Sequence, residues 1–109
     1  MSSNDAVVFF IVHGAIQNVG YRSFVASIAK KYSLSGMVRN VYDGSVEILA
    51  VGNKKSIESF SKEINVQTKF GIAVFAIESH YEKDWIKKML YPFMIEDFKR
   101  FTIEKTKVV

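Results

Sequence analysis

The sequence predicts an α+β fold: an antiparallel sheet with two helices on one face, plus an extra C-terminal helix/strand element. Three observations predict it. Residues 7–12, VVFFIV, form an unbroken apolar run. Two later stretches, one from Tyr21 and one after Asn53, carry apolar residues at helical spacing. Between them Asp43-Gly44 separates two β-favouring runs, as in a hairpin. A chain of 109 residues suits one domain spanning 1–109, with residues 1–5, polar but for Met1, read as a flexible tail.

Each element follows from its own pattern. The run at 7–12 is short, continuous and β-favouring, which fits a central strand buried on both faces. From Tyr21 the period changes. Tyr21, Phe24, Val25, Ile28, Ala29 and Tyr32 make one stripe along a helix. Lys30 and Lys31 stand near its C-terminal end, where cations suit the helix dipole. Residues 37–41 and 45–51 are the expected hairpin strands. Asn53 is placed to cap a second helix that turns Ile57, Phe60 and Ile64 inward. A further strand is expected at 72–77, continuing into ESHYEK. Over 84–98 short helical pieces are expected, broken at Pro92, with Trp85 filling the core or covering the sheet edge. RFTIEK then reads as a last, edge strand. Strand, helix, strand, strand, helix, strand is the ferredoxin-like βαββαβ order. It places strands one and three centrally, with strand two beside three.

Composition removes several classes of function. There is no cysteine, so disulfides, zinc–thiolate sites and thiol catalysis are excluded. The start, MSSND, has no secretion-signal character, and no apolar run approaches the roughly 18 residues of a membrane span. A soluble, cytoplasmic protein is expected. The formal charge of +4 favours anionic partners by long-range attraction without choosing among them.

Chemistry concentrates in the bend after strand one. In the expected topology, strands one and two run the same way on either side of strand three. The bend and the end of strand two therefore share one edge, two strand spacings or roughly 10 Å apart. Arg39 and Asn40 end strand two and point to opposite faces, so only one of them can serve a given site. The bend is neither a Walker A loop nor a GxGxxG motif. A flexible loop entering a helix N-terminus nevertheless presents unpaired N–H groups that attract an anion. Arg22, in the first helical turn, opposes the helix dipole. Its placement makes sense with an anion between the guanidinium and the N–H groups; an ordinary loop with a solvated arginine is the alternative.

Residues 14–22, GAIQNVGYR, resemble the acylphosphatase loop G-x-V-Q-G-V-G-F-R. Residues 36–52, GMVRNVYDGSVEILAVG, resemble that family's G-W-V-R-N-x-x-D-G-x-V-E segment, in the right order and at the right separation. The family fold is the ferredoxin-like one. The resemblance implies hydrolysis of acyl phosphates to a carboxylate and inorganic phosphate, with no metal or cofactor. It places the catalytic arginine at Arg22, the catalytic asparagine at Asn40, and the phosphate-binding loop at Gln17, Asn18, Val19, Gly20, Tyr21 and Arg22. Asn18 stands where the family has a second loop glycine, and asparagine reaches the left-handed region readily. Met37 replaces a tryptophan, the Gly-Pro-Pro-like segment before strand four is missing, and 84–98 looks inserted. Such domains also occur inside larger carbamoyl-transferring proteins; a free-standing monomer is expected here.

The competing readings are a non-catalytic phosphate- or RNA-binding ferredoxin-like module and an interaction protein built on the aromatic C-terminal segment. No RNP-type sequence accompanies Phe9 and Phe10, so no nucleic-acid partner is expected. His13 and His80 have no ligand cluster in the sequence, Arg39 reads as a surface or salt-bridge residue, Asp43 and Glu47 do not form an acid/base pair, and Ser23 lacks a base.

Overall fold

The computed structural model describes residues 5–69 and 71–108. Its elements are β1 (Asp5–Ala15), α1 (Tyr21–Lys31), β2 (Ser35–Asn40), β3 (Val46–Asn53), α2 (Lys54–Glu63), β4 (Ala73–His80), α3 (Lys83–Leu90), a 3₁₀ turn (Ile95–Asp97) and β5 (Phe101–Ile103). The sheet order is β4-β1-β3-β2-β5. This is the expected ferredoxin-like core with one strand added beside β2. β5 pairs with β2 in parallel, Val38 opposite Ile103, so the sheet is not antiparallel throughout. The strand expected from residue 7 begins at Asp5, which pairs with Asn53. Asp5 therefore belongs to the sheet rather than to a tail, and residues 1–4 lie outside the described residues.

Local sequence explains the element ends. Asn53 caps α2, its side-chain oxygen accepting the N–H groups of Lys55 and Ser56. Glu82 caps α3 in the same way through Asp84 and Trp85. That helix ends at Leu90, ahead of Pro92, which lacks the donor a continuing helix needs. At the far end of β1 the pairing with β4 shifts between His13 and Gly14. A Cβ on Gly14 would stand 2.1 Å from the Ala73 carbonyl oxygen, so only glycine allows this close approach. The bulge turns the chain out of the sheet and into the loop before α1.

The sheet is covered on both sides. Val8, Phe10, Val12, Val38, Ile48 and Ala50 pack with Val25, Ile28, Ile57 and Phe60 of α1 and α2. On the other face Val7, Phe9, Met37, Leu49 and Val51 pack with Ile86 and Leu90 of α3 and with Ile95. Residues 7–12 read as doubly buried because α3 supplies the second layer. Trp85 belongs to that layer, with its ring edge-on to Phe9 at 5.7 Å. The aromatic segment is thus split: Trp85 and Phe98 pack against the core, while Tyr91 and Met94 stay exposed.

Under α3 lies a buried ion pair. Arg39 and Glu47 face each other across β2 and β3, and both are nearly solvent-free, at 6% and 3% exposure. Arg39 is therefore a buried salt-bridge residue and not a surface one. Its Nε and Nη2 donate to Glu47 Oε1 at 2.9 and 2.8 Å, and Nη2 also donates to the Met89 carbonyl at 2.9 Å. Lys107 Nζ approaches the second carboxylate oxygen at 3.4 Å. Removing one member leaves a buried charge unpaired. Glu47→Ala is expected to lower unfolding free energy in urea by about 3–5 kcal/mol, whereas an apolar replacement of both partners, Arg39→Met with Glu47→Leu, is expected to restore most of that loss.

Candidate active site

The loop between β1 and α1 takes its shape from two left-handed residues, Asn18 (φ 63°) and Gly20 (φ 82°). Asparagine at 18 therefore does the conformational work of a glycine. Gly20 is the N-cap of α1. No side chain caps this end, and the first turn holds no acidic residue. The first-turn N–H groups consequently point out of the helix without an intrahelical acceptor.

Beside these residues lies a cavity of about 150 Å³, lined by Ile16, Asn18, Gly20, Tyr21, Arg22 and Ser23 together with Ile103 of β5. Of the five other loop positions expected to bind phosphate, three, Asn18, Gly20 and Tyr21, thus share a cavity with Arg22. Tyr21 turns its ring inward, is almost fully buried, and donates its hydroxyl to the Ile64 carbonyl at 2.8 Å. Burial pushes its phenol well above the ordinary tyrosine range. Only its backbone N–H is available to an anion.

Gln17 and Val19 do not line this cavity. The Gln17 side-chain amide instead donates to the carbonyls of Val41 and Ser45, at 2.8 and 2.9 Å. Gln17 thereby ties the loop to the end of the β2–β3 hairpin, immediately beyond Asn40. Sequence reasoning grouped Gln17 with the phosphate ligands because it lies inside the motif; nothing in the motif shows that its side chain faces the hairpin.

Asn40 is not among the residues that line this cavity. It is 5% exposed, and its Oδ1 is buried with no hydrogen-bond partner in the protein. Such an acceptor costs stability unless water or a ligand satisfies it. The main chain around it is held on its outer side: Asn40 O accepts from the Lys107 N–H at 2.8 Å, and the Tyr42 N–H donates to Lys107 O at 3.0 Å. The turn is fixed by Asp43, whose carboxylate accepts from the Ser45 N–H and hydroxyl, bonds that hold its carboxyl below the ordinary aspartate range.

Away from the cavity the sheet brings the two histidines together on one carboxylate, which the sequence did not suggest. His13 Nε2 lies 2.6 Å from Glu78 Oε2, and His80 Nε2 lies 3.4 Å from Oε1. The hydrogen bond from His13 holds the Glu78 carboxyl below its ordinary value. The His80 ring stacks on Trp85 at 3.9 Å. Among the described residues no group of three or more His, Asp or Glu side chains is arranged to hold a metal ion, and no helix is long and apolar enough to cross a membrane.

A small ferredoxin-like domain with an anion-sized cavity at an uncapped helix N-terminus is the class that fold and site define. A family model for acylphosphatase matches residues 8–103. The acylphosphatase of Bacillus licheniformis is 40% identical over 79 residues, covering 72% of this chain and 88% of that protein. The crystal structure of acylphosphatase from Bacillus subtilis aligns with a TM-score of 0.73 at 33% identity, covering 90% of this chain and 97% of that one. Full-length HypF, in its phosphate- and nucleotide-bound form, aligns with a TM-score of 0.75 at 27% identity, covering 95% of this chain and 12% of that one. The chain belongs to the acylphosphatase family.

Two outcomes test these contacts. Gln17→Ala is expected to cost about 1–3 kcal/mol in chemical denaturation, because two part-buried carbonyls lose their donor. His13→Ala is expected to return the Glu78 pKa toward its ordinary value of 4.5, as read by NMR titration. The sign follows from the lowered value. The native carboxylate adds stability above the unfolded pKa and loses it as pH falls through the folded one, so the variant should lose less stability than the parent on acidification below 4.5.

Proposed function

We propose that the protein is a metal-independent acylphosphatase that holds the phosphoryl group on the loop before α1. Family membership makes the chain a hydrolase of the acylphosphatase kind. The observation that carries the assignment to this site is Arg22, which opens on the same cavity as an uncapped, left-handed helix entry. Without an anion this arrangement sets a cation against the positive end of a helix dipole. With a phosphoryl group between them, both interactions become attractive.

In this reading the N–H groups of Gly20, Tyr21 and Arg22, with the guanidinium, take up the charge that spreads over the three phosphoryl oxygens in the transition state. Asn40 orients the attacking water, its unpartnered Oδ1 accepting a hydrogen bond from it. The water oxygen forms the new bond to phosphorus as the bond from phosphorus to the acyl oxygen breaks. The carboxylate leaves with that electron pair, and the water proton passes to a phosphoryl oxygen. An acyl phosphate already carries a good leaving group, so no strong base is needed.

The RNA-binding alternative requires an open sheet face for stacking. Here Phe9 and Phe10 are buried on opposite faces, one beneath α3 and one beneath α2. The test is phosphate release from benzoyl phosphate in the presence of a chelator. Arg22→Ala and Asn40→Ala are each expected to lower kcat/KM by about 10²-fold or more. Full activity in either variant would remove that residue from the site.

A further inference from the structure

We propose that Ile103 is a specificity-determining residue, the apolar contact for the acyl group of the substrate. This rests on the reading of the cavity as the acyl phosphate site. The cavity has two unlike kinds of lining. Arg22, Asn18 and the α1 N-terminus make part of it polar and cationic, while Ile103 of β5, with buried Ile16, makes part of it aliphatic. An acyl phosphate has the same two poles, an anionic phosphoryl group and a carbon chain or ring.

The placement of Ile103 is fixed. In the parallel β2–β5 pair it lies opposite Val38, two residues before Asn40, so Val38, Asn40 and Ile103 share one side of the sheet. Phe101, on that same side, is buried against Phe60 with ring centroids 6.3 Å apart. The following Glu104 N–H donates to the Val38 carbonyl at 2.9 Å. Pinned before and after, the residue cannot withdraw, yet it remains 47% exposed. A branched aliphatic held half-open beside an anion-sized cavity is matched to a partly apolar ligand that completes its burial.

The contact lies away from the reacting phosphorus and is the same in ground and transition states. It should therefore act on KM and leave kcat alone. Benzoyl phosphate and acetyl phosphate, compared in the parent, Ile103→Ser, Ile103→Thr and Ile103→Val, separate this from mere packing. The expected result is a fall of about fivefold in the benzoyl-to-acetyl ratio of kcat/KM for the serine and threonine variants, through a raised KM for benzoyl phosphate, with the valine variant close to the parent. A ratio that does not move, or an equal loss for both substrates, overturns the assignment while leaving the site reading intact. A parent protein that hydrolyses neither substrate overturns the site reading and this inference together.

Discussion

The two hydrogen bonds from the Gln17 amide to Val41 and Ser45 are the constraint on which the site depends. They join segments far apart in sequence, a loop that leaves β1 and the turn that ends β2. Besides them the loop is held by the Gly14 bulge, by Ile16 and Val19 in the core and by the start of α1, none of which reaches the β2–β3 turn. With them, its left-handed residues stand at a set distance from the strand that carries Asn40. The cavity is thus a product of sheet topology: β1 and β2 run parallel to one another on either side of β3, so their C-terminal ends meet.

The second organising fact is the alternation of β2. Met37 and Arg39 face α3, while Val38 and Asn40 face the helices that carry the candidate site. Two neighbouring polar residues therefore have unrelated tasks. Arg39 is neutralised by Glu47 and by a helix-end carbonyl, while Asn40 keeps an unpartnered oxygen. Burying both on one strand is possible because the sheet separates them completely.

Much of this was legible in the sequence. The stripe from Tyr21, the Asn53 cap and the Asp43-Gly44 turn each rest on short-range rules, and each element formed where those rules put it. Arg22, Asn18 and Gly20, which the linked motifs single out, line one cavity. What could not be read depends on contacts between distant segments. The Gln17 side chain has no local signature that separates a hairpin tie from a phosphate ligand. The parallel register of β5, which brings Ile103 to the cavity, follows from how far 84–98 travels across the back of the sheet. The meeting of His13 and His80 on Glu78 requires the β1–β4 register, and the choice between a surface and a salt-bridge role for Arg39 stayed open because nothing in the sequence announced that α3 would cover it.

The bond from Arg39 to the Met89 carbonyl has a consequence for how the molecule opens. Met89 lies in the last turn of α3, where a helix ordinarily frays at little cost. Here fraying would strip a buried guanidinium of one acceptor and admit water to the Arg39–Glu47 pair. The end of α3 is therefore joined to the middle of the sheet as one cooperative unit. Its amides should exchange with solvent on the slow timescale of β2 and β3, not on the fast one of an ordinary helix terminus.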